Sequence, residues 1–188
     1  NKETGLIPKG GRRLVSQCGI FEYEGRFIMI TDAAINIAPD VETQIGIVEN
    51  ALPVARALGV ECPKVAVLSA VENVTDKMPS TVTAREIAER GVEGCVISGP
   101  LALDGAISME SVKHKAIKDP VAGQADILLV PFIEIGNVLY KACSYIAGKT
   151  MASTICGASC PVVITSRADT PDSKYYSILM AVLRCLKA

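Results

Sequence analysis

Ser166 and Arg167 stand at the end of an apolar, β-prone run, residues 161–165, and a short polar stretch then leads into a helical pattern. A hydroxyl at such a place can donate to an oxygen. A guanidinium offers a planar fork of donors that matches carboxylate and phosphate oxygens. The stretch that follows, DTPDSK, also reads as a helix start, with Asp169 or Thr170 as cap, Pro171 in the first turn and Asp172 near the positive end of the helix dipole. Two other places have the same character. Asp32 stops the run RFIMIT, either as an acid facing a ligand or as the head of an Asx-type turn. Gly136 and Asn137 follow the run ADILLVPFIE and open a helix, so that their free N–H groups suit a phosphate or simply turn the chain.

Composition excludes several alternatives. Lys and Arg number 19 against 20 Asp and Glu, a net charge of -1, so no overall field gathers nucleic acid or anionic lipid. An anionic ligand must be met by a local pocket. The seven Cys form no C-x-x-C pair and no Cys/His spacing suited to zinc. They read as reduced thiols of a cytoplasmic protein, with Cys18 and Cys160 the candidates for reactivity. The one His, His114, sits among lysines on a solvated helix face. No apolar run approaches the roughly 20 residues of a membrane span, and no signal peptide is visible. The first residue is Asn rather than Met.

Strands and helices alternate in the pattern. Residues 1–19 are poorly patterned, with IPKGGRR a mobile loop. RFIMIT is a strand. A helix follows from an Asp40 cap, with Val41, Ile45, Val48, Leu52 and Ala55 on one face, a kink or break at Pro53 and a stop at Gly59. KVAVLSAV, GCVISGPLA, ADILLVPFIE and CPVVITS read as buried strands, separated by helices ending at Gly91, around residue 117 and near Gly148. PDSKYYSILMAVLRCLK closes the chain as a helix, with Tyr176, Leu179, Met180 and Leu183 on one face. Continuous apolar strands alternating with helices give an α/β fold, a three-layer α/β/α arrangement on a mostly parallel sheet. Ligands gather outside the carboxyl ends of such strands, where Asp32, Gly136, Asn137, Ser166 and Arg167 lie.

Taken in order, ITDAAINIAPD, KMPST, SGPLALDGAIS, DPVAGQADILLVPFIEIGNVLYK and PVVITSRAD resemble the phosphate acetyl/butyryltransferase family, its butyryl branch most closely. The likeness covers nearly the whole chain. It implies the fold of the isocitrate and isopropylmalate dehydrogenases, two α/β/α domains with a cleft between them. Residue 1 then falls about one third of the way into the family chain, so the first domain is incomplete. Residues 1–17 are a partial segment of it, 18–150 form the second domain, and 151–188 return to the first as a strand and a helix. The resemblance further implies a cytoplasmic homodimer or higher homo-oligomer. It implies the reaction butanoyl-CoA + phosphate = butanoyl phosphate + CoA, with coenzyme A as substrate, no cofactor and no metal.

On that resemblance Ser166 donates to the carbonyl oxygen and Arg167 holds phosphate. Asp172, with Asp169 second, is the base that deprotonates the CoA thiol, whose ordinary pKa is about 8.5. Asp32 matches a family acid in the cleft, Gly136 and Asn137 meet phosphate, and Lys77 touches the pantetheine arm. Two family arginines lie outside this sequence, so the 188-residue chain alone is expected to turn over weakly. The alternatives are a phosphate acetyltransferase, and a non-catalytic CoA-binding or regulatory module of the same fold.

Overall fold

The structure is a computed structural model and describes residues 14–186. The loop expected at IPKGGRR lies outside the described residues. Six strands form one sheet: β1 (Ser16–Tyr23), β2 (Arg26–Thr31), β3 (Lys64–Leu68), β4 (Val96–Leu101), β5 (Ile127–Leu129) and β6 (Ala152–Cys156). Their order is β4-β3-β5-β2-β1-β6. Strands β4, β3, β5 and β2 run parallel, and β1 is antiparallel to both β2 and β6. The helices are α1 (Val41–Ala57), α2 (Pro79–Arg90), α3 (Leu103–Ile107), α4 (Met109–Lys115), α5 (Ile133–Lys141) and α6 (Pro171–Leu186). A π-helical turn, Ala142–Ile146, extends α5.

Alternation along each strand divides the core into two layers. Cys18, Met29, Val65, Val67, Ile127 and Leu129 face α1, α2 and α6. Ile28, Ile30, Ala66, Leu68 and Leu128 face the other side, toward α3, α4 and α5. The three-layer, mostly parallel α/β expectation therefore holds. Helix starts and stops follow local chemistry. Asp40 caps α1 by accepting from the Thr43 N–H at 2.8 Å. Gly59 and Gly91, with φ of 90° and 69°, follow α1 and α2 in conformations that a side chain would strain. Pro53 does not break α1, which runs on to Ala57 with the proline ring on its exposed side.

Two strands were unread in the sequence and one expected strand is absent. β1, SQCGIFEY, occupies part of the segment read as poorly patterned. β6, ASTIC, lies just before the expected strand at CPVVITS. In place of that strand there is one antiparallel bridge between Ile155 and Val162. Ile164 is 61% exposed. The run has strong β propensity, but propensity needs a pairing partner to become a strand.

β6 is an edge strand, and α6 seals its outer side. The Met151 N–H donates to Ser173 Oγ at 3.3 Å and the Ser153 N–H to Ser177 Oγ at 2.9 Å. Arg184 donates to Thr154 Oγ1 and to the Ile155 carbonyl. Residues 152–156, which the sequence reading placed with the returning C-terminal segment, thus complete the same sheet as β1 and β2.

Candidate active site

A cleft of about 560 Å³ lies beside the carboxyl end of β2. Its floor is Gln17 from β1 with Ser153 and Ile155 from β6. One wall is α5 and its extension, through Asn137, Tyr140, Lys141 and Tyr145, and the turn after β2 supplies Ala33, Ala34 and Ile35. Ile164, Thr165, Ser166, Ala168 and Asp169 close the other side.

The turn after β2 is built on Asp32, which is 2% exposed. One carboxylate oxygen accepts from the Ala34 and Ile35 N–H groups at 2.8 and 3.1 Å. The other accepts from the backbone and side-chain N–H of Asn36 at 3.2 and 2.6 Å. Both oxygens are thereby engaged, and the Asx-type reading describes Asp32. It shapes the cleft by holding Ala33–Ile35 in place.

Gly136 corrects the sequence expectation. α5 begins at Ile133, so Gly136 lies inside its first turn and its N–H donates to the Phe132 carbonyl at 3.2 Å. That N–H is not free for an anion. What Gly136 contributes is close approach, since a Cβ there would stand 2.7 Å from the Asp32 carbonyl oxygen and 2.9 Å from Ala33 Cα. Its neighbour Asn137 lines the cleft and donates to the Ala33 carbonyl at 3.2 Å. Gly19 plays a matching part on β1. A Cβ there would lie 2.6 Å from the Tyr140 ring, so the missing side chain lets the ring settle on the strand. Burial, then the nearby Asp169 charge, raises the Tyr140 phenol well above its ordinary range and keeps it neutral.

Ser166 and Asp169 form a tight turn. The Ser166 N–H donates to Asp169 Oδ2 at 2.6 Å, and the Asp169 N–H donates to the Ser166 carbonyl at 3.1 Å. Ser166 Oγ accepts from the Ala168 N–H at 3.4 Å, which leaves its O–H able to donate. Helix α6 is capped by Thr170, whose Oγ1 accepts from the Ser173 N–H at 3.2 Å. Thr170 rather than Asp169 is the cap, and Asp172 sits exposed in the first turn of α6.

The structure thus brings Ser166, Asp169, Asn137 and the Asp32 turn around one cleft. Arg167 is exposed beside it without lining it, and Asp172 stands on the helix behind. Lys77 is exposed in the loop between β3 and α2, apart from the cleft lining. Cys18 is fully buried, and burial, then Cys156, pushes its thiol up, the opposite of an activated nucleophile. Cys160 is exposed. Sequence reasoning missed Gln17, Ser153, Tyr140, Lys141 and Tyr145. Gln17 and Ser153 were legible only once β1 and β6 were seen as strands.

Among the described residues no three His, Cys, Asp or Glu side chains converge as metal ligands. No helix there is long and apolar enough to cross a membrane.

The sequence matches the family described as Phosphate acetyl/butaryl transferase over residues 6–182. It is 45% identical to the phosphate butyryltransferase of Clostridium acetobutylicum, over 97% of this chain and 62% of that protein. It is 44% identical to the phosphate acetyltransferase of Thermotoga maritima, over 84% of this chain and 55% of that one. The crystal structure of a branched-chain phosphotransacylase from Enterococcus faecalis superimposes with a TM-score of 0.88 at 42% identity, over 95% of this chain and 65% of that one. The chain therefore spans less than two thirds of the length of these relatives.

Proposed function

We propose, from the premise that this chain belongs to the phosphate acetyl/butyryl transferase family, that the intact protein moves a butanoyl group between coenzyme A and phosphate. The observation that carries the reading is the Ser166–Asp169 turn facing Gln17, Asn137 and Ala33–Ile35 across one cleft. In the direction of thioester formation, the CoA thiol loses its proton to a base and its sulfur attacks the carbonyl carbon of butanoyl phosphate. A tetrahedral oxyanion forms, the carbon–oxygen bond to phosphate breaks, and phosphate leaves. Ser166 donates to the carbonyl oxygen as charge builds there. Arg167 holds the phosphate, a task for which its forked donors suit it. Coenzyme A is a substrate, and the chemistry calls for no other cofactor.

Two acids compete for the role of base. Asp172 stands at the start of α6, whereas Asp169 lines the cleft and spends one oxygen on the Ser166 N–H. That placement supports Asp169. Comparing Asp169→Asn with Asp172→Asn decides between them, because the true base is the one whose loss lowers kcat on the order of 10²-fold or more.

The finer architecture belongs to the same proposal. A dehydrogenase-like pair of domains would give the exposed run at 161–165 the strand partners it lacks. It would also cover the outward apolar stripe of α6, where Tyr175, Ile178 and Val182 are exposed. A homodimer is supported by exposed Val138 and Ile146 near α5, and a cytoplasmic setting by seven unpaired thiols.

The test is phosphate-dependent release of free thiol from butanoyl-CoA by the intact protein. No release refutes the proposal, and CoA binding without turnover points to a binding module. Similarity to the Thermotoga acetyltransferase makes acetyl-CoA the comparison substrate, and a faster acetyl than butanoyl rate favours that branch.

A further inference from the structure

Gln17 is 4% exposed, yet it lines the cleft together with Ser166. Its amide orientation is fixed by chemistry. The Ala33 N–H can only donate, so the atom it meets at 3.2 Å is the carbonyl Oε1. Nε2 is then the atom 2.9 Å from Ser153 Oγ, to which it donates one hydrogen. A primary amide carries a second N–H, and among the described residues no protein acceptor meets it. A buried N–H that no protein acceptor meets is costly in a folded protein and calls for an explanation, and an acceptor on a ligand in the cleft is one.

We propose that this second N–H of Gln17 is a catalytic hydrogen-bond donor to the acyl carbonyl oxygen, working from the cleft floor opposite Ser166. The assignment rests on the acyl-transfer reading above. When sulfur adds to the carbonyl carbon, the carbon–oxygen double bond becomes a single bond and its electron pair moves to oxygen. The Gln17 N–H meets that oxygen without giving up its proton. When the bond to phosphate or to sulfur breaks, the pair returns. The donor is held in place before reaction by Ala33 on one side and Ser153 on the other, so it does not have to reorient as charge develops.

Two variants of the intact protein test this. Gln17→Glu keeps both existing protein contacts, because one carboxylate oxygen accepts from Ala33 N–H and the other from the Ser153 hydroxyl. It removes the donor and adds a negative charge. At pH 8 its kcat with butanoyl-CoA and phosphate should fall on the order of 10²-fold, with the butanoyl-CoA KM within about threefold. As pH falls and the carboxyl protonates, a donor is restored, and kcat relative to the parent should climb. Gln17→Met should lose a similar factor with no such recovery, which separates loss of the donor from repulsion by a new charge. A Gln17→Glu enzyme that keeps kcat within twofold of the parent at pH 8 overturns the assignment. So does a loss that is confined to KM or that has the same pH profile as the parent. Absence of turnover by the parent instead refutes the acyl-transfer reading, and with it this role.

Discussion

Replacing Gly136 by Ala tests how the cleft is assembled. The new Cβ would stand 2.7 Å from the Asp32 carbonyl oxygen and 2.9 Å from Ala33 Cα and Val130 Cγ2. Comfortable carbon contacts lie at about 3.5–4.0 Å, so α5 must retreat by roughly half an ångström or more. Two of those three neighbours are backbone atoms and cannot rotate away. Asn137 moves with the helix, and its hydrogen bond to Ala33, already 3.2 Å long, then exceeds bonding range. Overpacking costs about 1–3 kcal/mol and the lost bond about 0.5–1.5 kcal/mol. The better helix propensity of Ala returns about 1 kcal/mol. The net is a loss of about 0.5–3.5 kcal/mol, by these same terms. Near the middle of that range Tm falls by roughly 4–8 °C for a protein of about 150–250 residues, and by less in a longer one. Because the shift moves one wall of the cleft, kcat should fall by about 10- to 100-fold. Thermal melts and steady-state thiol-release kinetics on the intact protein measure both. Asn137→Ala, which removes the bond without crowding, should give the smaller stability loss. A Gly136→Ala protein with Tm within about 1 °C of the parent and kcat within about twofold would refute the close-approach argument.

Three further outcomes are expected. Arg167→Ala should raise the phosphate KM roughly tenfold or more, from about 1.5–3 kcal/mol for hydrogen bonds to a charged group, and at least as much as the CoA KM. An unchanged phosphate KM removes Arg167 from the phosphate site. Ser177→Ala leaves the buried Ser153 N–H without its acceptor, at a cost of about 1–3 kcal/mol, and hydrogen exchange at Ser153 should speed up accordingly. Unchanged exchange there would sink the edge-sealing role. Burial pushes the Cys156 thiol up to about 12, and Cys18 is raised by the same cause. The neutral thiols therefore contribute stability that is full below their ordinary pKa of about 8.5. That stability is lost as pH rises toward 12. The urea midpoint should drop in that window, and a thiol reagent at pH 8 should spare Cys18 and Cys156 in the native protein. Rapid native labelling of Cys18 would contradict its placement.

The parallel part of the sheet was legible because β2, β3, β4 and β5 are apolar on both faces, as strands covered by helices on both sides must be. Helix boundaries at Asp40, Gly59 and Gly91 were legible because caps are local chemistry. β1 and β6 were not. Ser16, Gln17, Ser153 and Thr154 are buried polar residues, and their burial is tolerable only through partners far away in sequence, such as Gln17 with Ser153. The run at 161–165 misled for the converse reason, since it carries β propensity without a ladder to join. Among the residues lining the cleft, Ser166, Asp169 and Asn137 were singled out by the polar stretches that follow apolar runs and by the family likeness. Gln17 could not, because its importance comes from an amide orientation that three separate elements fix together.

The two serines that seal β6 also measure distance. Ser173 and Ser177 are four residues apart on α6, a rise of about 6 Å. The amides they meet, on Met151 just before β6 and on Ser153 within it, are two residues apart, about 6.6 Å along an extended chain. Helix and strand therefore mesh like a screw in a nut whose thread has nearly its own pitch. A small slide of α6 breaks both contacts at once, and the next position that restores any lies a full turn away. The loop bearing Ser166 and Asp169 is tied to β6 at one end and to α6 at the other. Its reach across the cleft is consequently set in discrete steps, and a change of one residue between Cys156 and Thr170 would have to be absorbed by the loop itself.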